Sequence, residues 1–390
     1  MNILFFGYWG ANEGLSQATI NPHLKILADF EKVNQILYVS IERKKEKEYQ
    51  VPNHPKIKHL PFQSLNSVRF LSKFGDFIQL PFYLKKLIRK ERIDLLMCRS
   101  SLAGGIGYWA HRLTGVPFTV ESFEPHADYM AEHGIWSKTG ISYRLQKHLE
   151  EKQKQEAFRL MPVTEKYKEK LINEGVNKKK VTVMPCTVDI EKFAFSDESR
   201  KKIRQELNIP SSAQVGIYVG KFGDIYWDKE AFQLFKSAFE YYQVFHLILL
   251  NPALKDFVIS RSLEFGIPIS NIHHWLVKHA EVPDYLSAAD FAFSLHKPSK
   301  QSFAFSPIKN GEYWANGLPI ISPDGIGDDS DIIRNENGGL IIENDLLINW
   351  SQLIKRNELP KNTLELAKKY RNLQTVSDIY TFILNEGLNY

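Results

Sequence analysis

The residues best placed to do chemistry are two charged side chains in the run 306–319, SPIKNGEYWANGLP. Ser306 is a natural helix N-cap and Pro307 suits a first helical position. A helix starting there sets Lys309 and Glu312 three residues apart on one face. Its first turn offers unpaired N–H groups and a partial positive charge, which suits a phosphate. Lys309 adds a full charge to that end, and Glu312 can accept hydrogen bonds from two vicinal hydroxyls. Helix geometry alone fits equally a capped helix with an exposed Lys–Glu pair.

A second group of polar residues lies in the first half. NILFFGY runs into Gly7-Tyr8-Trp9-Gly10-Ala11-Asn12-Glu13-Gly14, and Ser16 and Gln17 open the helix that follows. Glycines such as Gly10 let a ligand approach the backbone. The spacing is not GxGxxG and no acidic ribose partner follows at the usual distance, which argues against a dinucleotide site. Further on, Glu124, His126 and Asp128 cluster in ESFEPHADY, and Arg99 ends MCRSS. The cluster reads as a site at the end of a strand, or as a polar loop capping the helix expected over 137–158. Arg99 suits an anionic acceptor, or a local salt bridge.

Positioning these groups requires strands that end beside them. Apolar β-rich runs occur at 2–8, 35–41, 57–62, 94–100, 117–123, 160–165 and 181–186, with amphipathic stretches such as 68–90 and 137–158 between them. Near-continuous apolar strands joined by helices imply a parallel sheet covered on both faces. The pattern restarts after a charged stretch and Pro210, with strands expected at 215–220, 245–251, 271–277, 291–296 and 319–323. The 390 residues thus divide into two doubly wound Rossmann-like domains, 1–189 and 190–373, with a last helix near 374–390 returning to the first. Ligands bind beyond the carboxyl ends of such strands, so two such domains facing each other make one cleft.

Composition narrows the classes. A net charge of +5 is too small to point to nucleic acid, but fits anionic small substrates or anionic lipid. Cys98 and Cys186 sit in apolar runs and read as reduced thiols, and no metal-type Cys/His spacing occurs. No run reaches the roughly 18 apolar residues of a spanning helix. A cytoplasmic protein is therefore expected, with peripheral contact at the inner face of the membrane as an option. For that option the segment 70–92 combines aromatics with a basic cluster. It fits a helix lying on an anionic leaflet, or a core helix with a solvated basic face.

The order of elements in the second half resembles glycosyltransferase family 4, in its SPxKxxEY branch. VPDYLSAAD (282–290) is similar to that family's VPxYL-x-x-AD element, and 306–320 to SPxKxxEYxAxGxPV. VTVMPCTVDIEKF (181–193) resembles its interdomain linker, and YVGK (218–221) its glycine–basic element. The resemblance implies a GT-B fold and a donor half that binds a nucleotide-diphosphate sugar as substrate, with no separate cofactor. It puts Lys221 and Lys309 on the diphosphate, Glu312 on the ribose, Ser306 at the donor helix and His126 near the transferring sugar. Glu124, Asp128, Arg99, Ser16 and Gly10 fall on the donor- and acceptor-facing loops. One departure is Ala304, where many members carry a Glu eight residues before the ribose Glu.

The implied reaction is a retaining, metal-independent transfer to a glycan or lipid-linked acceptor in surface polysaccharide assembly, with no nucleic acid involved. A nucleotide-sugar epimerase and an inactive binding scaffold of the same fold are the alternatives. Two signals are set aside: Asp329-Ser330-Asp331 reads as a helix cap and not a metal motif, and His273-His274 points to opposite faces of a strand.

Overall fold

The computed structural model describes residues 1–64, 69–353 and 360–386, and no side chain of residues 69–74, 344, 360 and 361. The chain forms two compact units, Met1–Cys186 with Leu373–Tyr390, and Thr187–Asn372.

The first unit holds six strands: β1 Asn2–Gly7, β2 Gln35–Glu42, β3 Ile57–Gln63, β4 Leu95–Arg99, β5 Phe118–Phe123 and β6 Arg159–Pro162. They lie in the order β3-β2-β1-β4-β5-β6, all parallel. The second unit holds β7 Gln214–Val219, β8 Phe245–Leu250, β9 Ile272–Trp275, β10 Phe291–Phe293, β11 Ile320–Pro323 and β12 Gly339–Ile342. Their order, β12-β11-β10-β7-β8-β9, is the same doubly wound arrangement. β1, β4 and β8 are buried almost from end to end because helices cover both faces.

Two strand expectations change. Residues 181–186 form only an isolated bridge, Val181 to Leu160, because Pro185 interrupts the run. β12 was not anticipated: GGLII is short and sits beside a polar Asn-rich stretch. The expected helix over 137–158 is Ile141–Glu156, preceded by a separate short helix, His126–Glu132. Residues 387–390 of the expected last helix lie outside the described residues.

The returning helix, Leu373–Asn385, is tied to the first sheet by a buried polar cluster. The Tyr380 hydroxyl donates to Glu121 on β5 at 2.5 Å, and Arg99 on β4 donates to the same carboxylate at 2.9 Å. His23 Nδ1 lies 2.8 Å from the Tyr380 oxygen and 3.2 Å from Glu121. Burial opposes the Glu121 charge, but His23, Arg99 and Tyr380 outweigh it and hold the carboxyl down at about 2. Burial and the Arg99 charge push the His23 imidazole down, against the pull of Glu121.

A carboxylate held below its unfolded value stabilises the fold above about pH 4, and that contribution is lost as pH falls towards 2. A shift of this size is worth about 3 kcal/mol. Glu121→Gln is expected to lower urea-unfolding stability by about that much at pH 7 and to flatten the decline between pH 4 and 2. An unchanged acid limb would reject this role for Glu121.

Candidate functional site

In the second sheet the strand order reverses between β7 and β10, so the crevice beyond their carboxyl ends is the expected ligand position. Gly220 follows β7 with φ 149°, where a side chain is strained, and a Cβ there would stand 2.5 Å from Lys309 Nζ. Lys309 reaches this point from the helix Ile308–Ala315. Its ammonium lies 4.5 Å from the centroid of the Tyr226 ring and 5.2 Å from that of Tyr218, and it has no hydrogen-bond partner. Burial lowers its pKa to about 8 against the opposing pull of Glu312. His296, after β10, packs on Tyr226 and is held neutral by burial and by the Lys309 charge. The crevice therefore contains a cation with two aromatic faces beside it and no side-chain or backbone acceptor bonded to it.

The helix that carries Lys309 starts one residue later than expected. Pro307, not Ser306, occupies the N-cap position, and no side chain caps the first turn. Ser306 Oγ instead accepts from Arg371, which also pairs with Asp329; Asn310 donates to that carboxylate at 2.7 Å. Asp329 is thus a buried ion-pair partner and not the helix cap expected of it; Asp328 holds the N-cap position. The far end closes by hydrogen bonds from Gly317 N to Trp314 O and from Leu318 N to Tyr313 O, with Gly317 at φ 80°. That is a Schellman ending, which Asn-Gly-x-Pro signals in the sequence. Every residue from Lys309 to Ala315 is buried. Glu312, 4% exposed, pairs with His279 Nε2 at 2.8 Å. The Asp290 carboxylate of the 282–290 element is structural: Arg200 and Arg204 clamp it at 2.6 and 2.8 Å.

The other candidates of this unit separate clearly. Lys221 is exposed beside Gly220 and has freedom to reach a ligand. Ala304 is buried in a short turn, Ser302–Ala304. His273 stacks on His246 and His274 bonds Asn251, on opposite faces of β9. Among the described residues no three His, Cys, Asp or Glu side chains group as a metal site.

In the first unit the glycine loop after β1 is organised by Glu42, at the end of β2. Glu42 accepts from Ala11 N at 2.8 Å, and a Cβ on Gly10 would stand 2.8 Å from its other oxygen. Gly10 is therefore explained by the packing of Glu42, not by ligand approach. Ser16 is fully buried inside the short helix Gly14–Thr19, and Gln17 is bonded to the carbonyls of Ala11 and Gln50. Arg99 takes the local option, since it is buried against Glu121.

Beyond β5, Ser122 adopts φ 48° and the chain turns into the helix His126–Glu132. His126 Nδ1 pairs with Glu124 at 2.8 Å, with its ring edge-on to Trp136. Beneath them Glu150 accepts from Ala127 N at 2.9 Å, and burial pushes its carboxyl up to about 7. Asp128 is occupied by Lys147 at 2.7 Å and Tyr143 at 2.8 Å. The structure thus brings Glu124 and His126 together and commits Asp128 and Arg99 to internal pairs.

The comparisons agree with this fold. Residues 36–192 match the family model Glycosyltransferase Family 4. Over 99% of its length the chain is similar to sucrose-phosphate synthase from Thermosynechococcus elongatus, at TM-score 0.75 and 14% identity, covering all of that chain. It is similar to HepE from Anabaena, solved with UDP-glucose, at TM-score 0.69 and 15% identity, and to WaaG, a glycosyltransferase involved in lipopolysaccharide biosynthesis, at 0.65 and 15%. For both, 99% of this chain and 100% of the other are covered. A search of curated proteins found no match. Residues 36–192 thus match the glycosyltransferase family 4 model, and the whole chain shares the two-domain GT-B fold of these structures.

The matched domain lies in the half where the sequence showed least, whereas the motifs at 181–320 carried the resemblance. Tyr226, His279 and Arg371 were missed. A histidine in a polar loop and an arginine between two helices have no spacing signal of their own.

An unneutralised buried ammonium destabilises the ligand-free protein. The cost is full below about pH 8 and fades as pH rises towards the unfolded value near 10.4, because the amine then deprotonates. Lys309→Met is expected to raise stability at pH 7 by about 1–3 kcal/mol, an advantage that shrinks above pH 8. A melting temperature that falls in this variant would contradict the unpaired buried charge.

Proposed function

We propose that the chain is a glycosyltransferase that takes its sugar from a nucleoside-diphosphate sugar bound in the second unit. The diphosphate lies on Lys309, Lys221 and the N-terminus of the helix Ile308–Ala315, and the ribose on Glu312. The observation that carries the reading is Lys309 itself: a buried cation without an acceptor, beside a helix N-terminus at the switch point of a parallel sheet. An anion with several oxygens supplies what it lacks. The complex of the structurally similar HepE with UDP-glucose supports a ligand of this class.

The same charges make a metal ion unnecessary in the reaction. As the bond from the sugar C1 to the diphosphate oxygen breaks, negative charge grows on that phosphate, next to two lysines and the helix end. The acceptor hydroxyl oxygen bonds to C1 from the face the phosphate leaves, and its proton passes to the departing phosphate oxygen. The configuration at C1 is retained and no protein nucleophile takes part. The first unit supplies the acceptor side through His126, oriented by Glu124. The acceptor is a glycan or a lipid-linked glycan of a surface polysaccharide, reached from the cytoplasmic face.

Calorimetric titration with ADP, GDP, UDP and CDP in EDTA is expected to find at least one ligand. Lys309→Ala and Glu312→Ala should each weaken it by about 30-fold, or about 2 kcal/mol, in folded protein. Binding by none of the four, or unchanged binding in both variants, overturns the donor site. Turnover that disappears in EDTA overturns metal independence, and an inverted anomeric product seen by NMR overturns retention.

Membrane contact through the helix Arg69–Lys90 belongs to the same proposal. Ile78 and Phe82 are exposed one turn apart, followed on the same side by Lys86 and Lys90. Among the described residues no helix is long and apolar enough to cross a membrane. The chain should co-sediment with phosphatidylglycerol vesicles and not with phosphatidylcholine vesicles, and Phe82→Glu should release it. Equal retention by both vesicles would reject the contact.

A further inference from the structure

We propose that His279 is the positioning residue for Glu312, and that the pair makes the site select ribonucleotides over nucleotides without ribose hydroxyls. The proposal rests on the donor-site reading above.

Glu312 is 4% exposed and stands three residues from Lys309, yet Lys309 Nζ makes no hydrogen bond to it. Its hydrogen bond comes instead from His279, 33 residues upstream in the loop after β9, at 2.8 Å to Oε1. An ionised carboxylate only accepts, so Nε2 of His279 carries the hydrogen and donates it. His279 is itself held in place. The turn closes by Lys278 N donating to Glu281 Oε2 and Glu281 N donating to Lys278 O, both at 2.9 Å. The imidazole packs 5.5 Å from the ring of buried Phe193, whose carbonyl accepts from Asn316 at the end of the helix that bears Glu312. Carboxylate and imidazole are thus fixed from the same framework.

With Oε1 anchored, the carboxylate cannot rotate freely, and Oε2 with the second lone pair of Oε1 remains for two vicinal hydroxyls. Without His279 the carboxylate is free to turn away from them. The effect is confined to the ribose: a ligand without the two hydroxyls gains nothing from an oriented carboxylate.

The test compares ADP, GDP, UDP and CDP with their 2′,3′-dideoxy forms by calorimetry, in wild type and in His279→Phe, His279→Gln and Glu312→Ala. The Phe variant keeps a ring on Phe193 and removes the donor; the Gln variant keeps a donor. In His279→Phe the preference for the ribose form should fall about tenfold, through weaker binding of that form alone, and His279→Gln should restore most of it. On the Glu312→Ala background, His279→Phe should change nothing further. Equal weakening of both ligand forms, or an undiminished preference, overturns the positioning role. Wild type that binds none of the nucleotides overturns the donor site itself. Binding without a ribose preference overturns the assignment of Glu312 and this proposal with it.

Discussion

The site depends on one unneutralised charge. Burying an ammonium with no acceptor is costly, and here the attraction of two tyrosine faces offsets only part of it. The neighbourhood is arranged to keep that cation in place. Gly220 has no Cβ where one would meet Nζ, His296 is neutral, and the helix N-terminus adds further positive potential. The buried charge and the helix end oppose the stability of the protein without its ligand and favour an anion. Stability and binding pull against each other at this point, as they do wherever a site is kept organised without its ligand.

Elsewhere buried charges are compensated within the fold. Arg371 with Asp329, Arg204 with Asp290 and Arg99 with Glu121 are pairs in which each partner has further hydrogen bonds or close supports. Removing one member of such a pair leaves the other charged and buried, so these pairs fix geometry more than they add net stability. Their placement is informative. Arg371 and Asp329 hold Ser306 and Asn310 at the start of the helix Ile308–Ala315, Asp290 anchors the start of β7 through Val215 N, and Glu121 joins two strands to the returning helix. Rigid pairs thus surround the elements that present the reactive groups, and leave Lys309 as the buried lysine with an unmet valence.

How much was legible in the sequence follows from how local each signal is. Two doubly wound sheets were readable because β1, β4, β7 and β8 are buried on both faces, which forces apolar runs of strand length. The helix Ile308–Ala315 was readable because Lys309, Glu312 and the Asn-Gly-x-Pro ending all lie within fourteen residues. The assignment of Ser306 as a cap failed because a distant arginine competes for its hydroxyl, and Arg371 lies 65 positions away. Gly10 was legible as a special glycine, but its cause, the Glu42 carboxylate on another strand, was not. Asp128 and Arg99 were read correctly as charges near strand ends, while the partners that occupy them come from separate elements.

The same distinction orders the site residues by what each can still do. A charged group that already has its partners is committed, whatever motif it occupies. Asp290 sits within a recognisable element and is fully engaged by two arginines, whereas His279 sits in no motif and bonds to Glu312. Glu124 and His126 remain a compact polar pair at the end of β5, steadied from below by Glu150 through Ala127 N. In both units the groups left for chemistry are those whose hydrogen-bonding capacity the fold does not exhaust. They stand beyond the carboxyl ends of parallel strands, where helix N-termini and strand ends converge and backbone alone cannot satisfy a charged ligand.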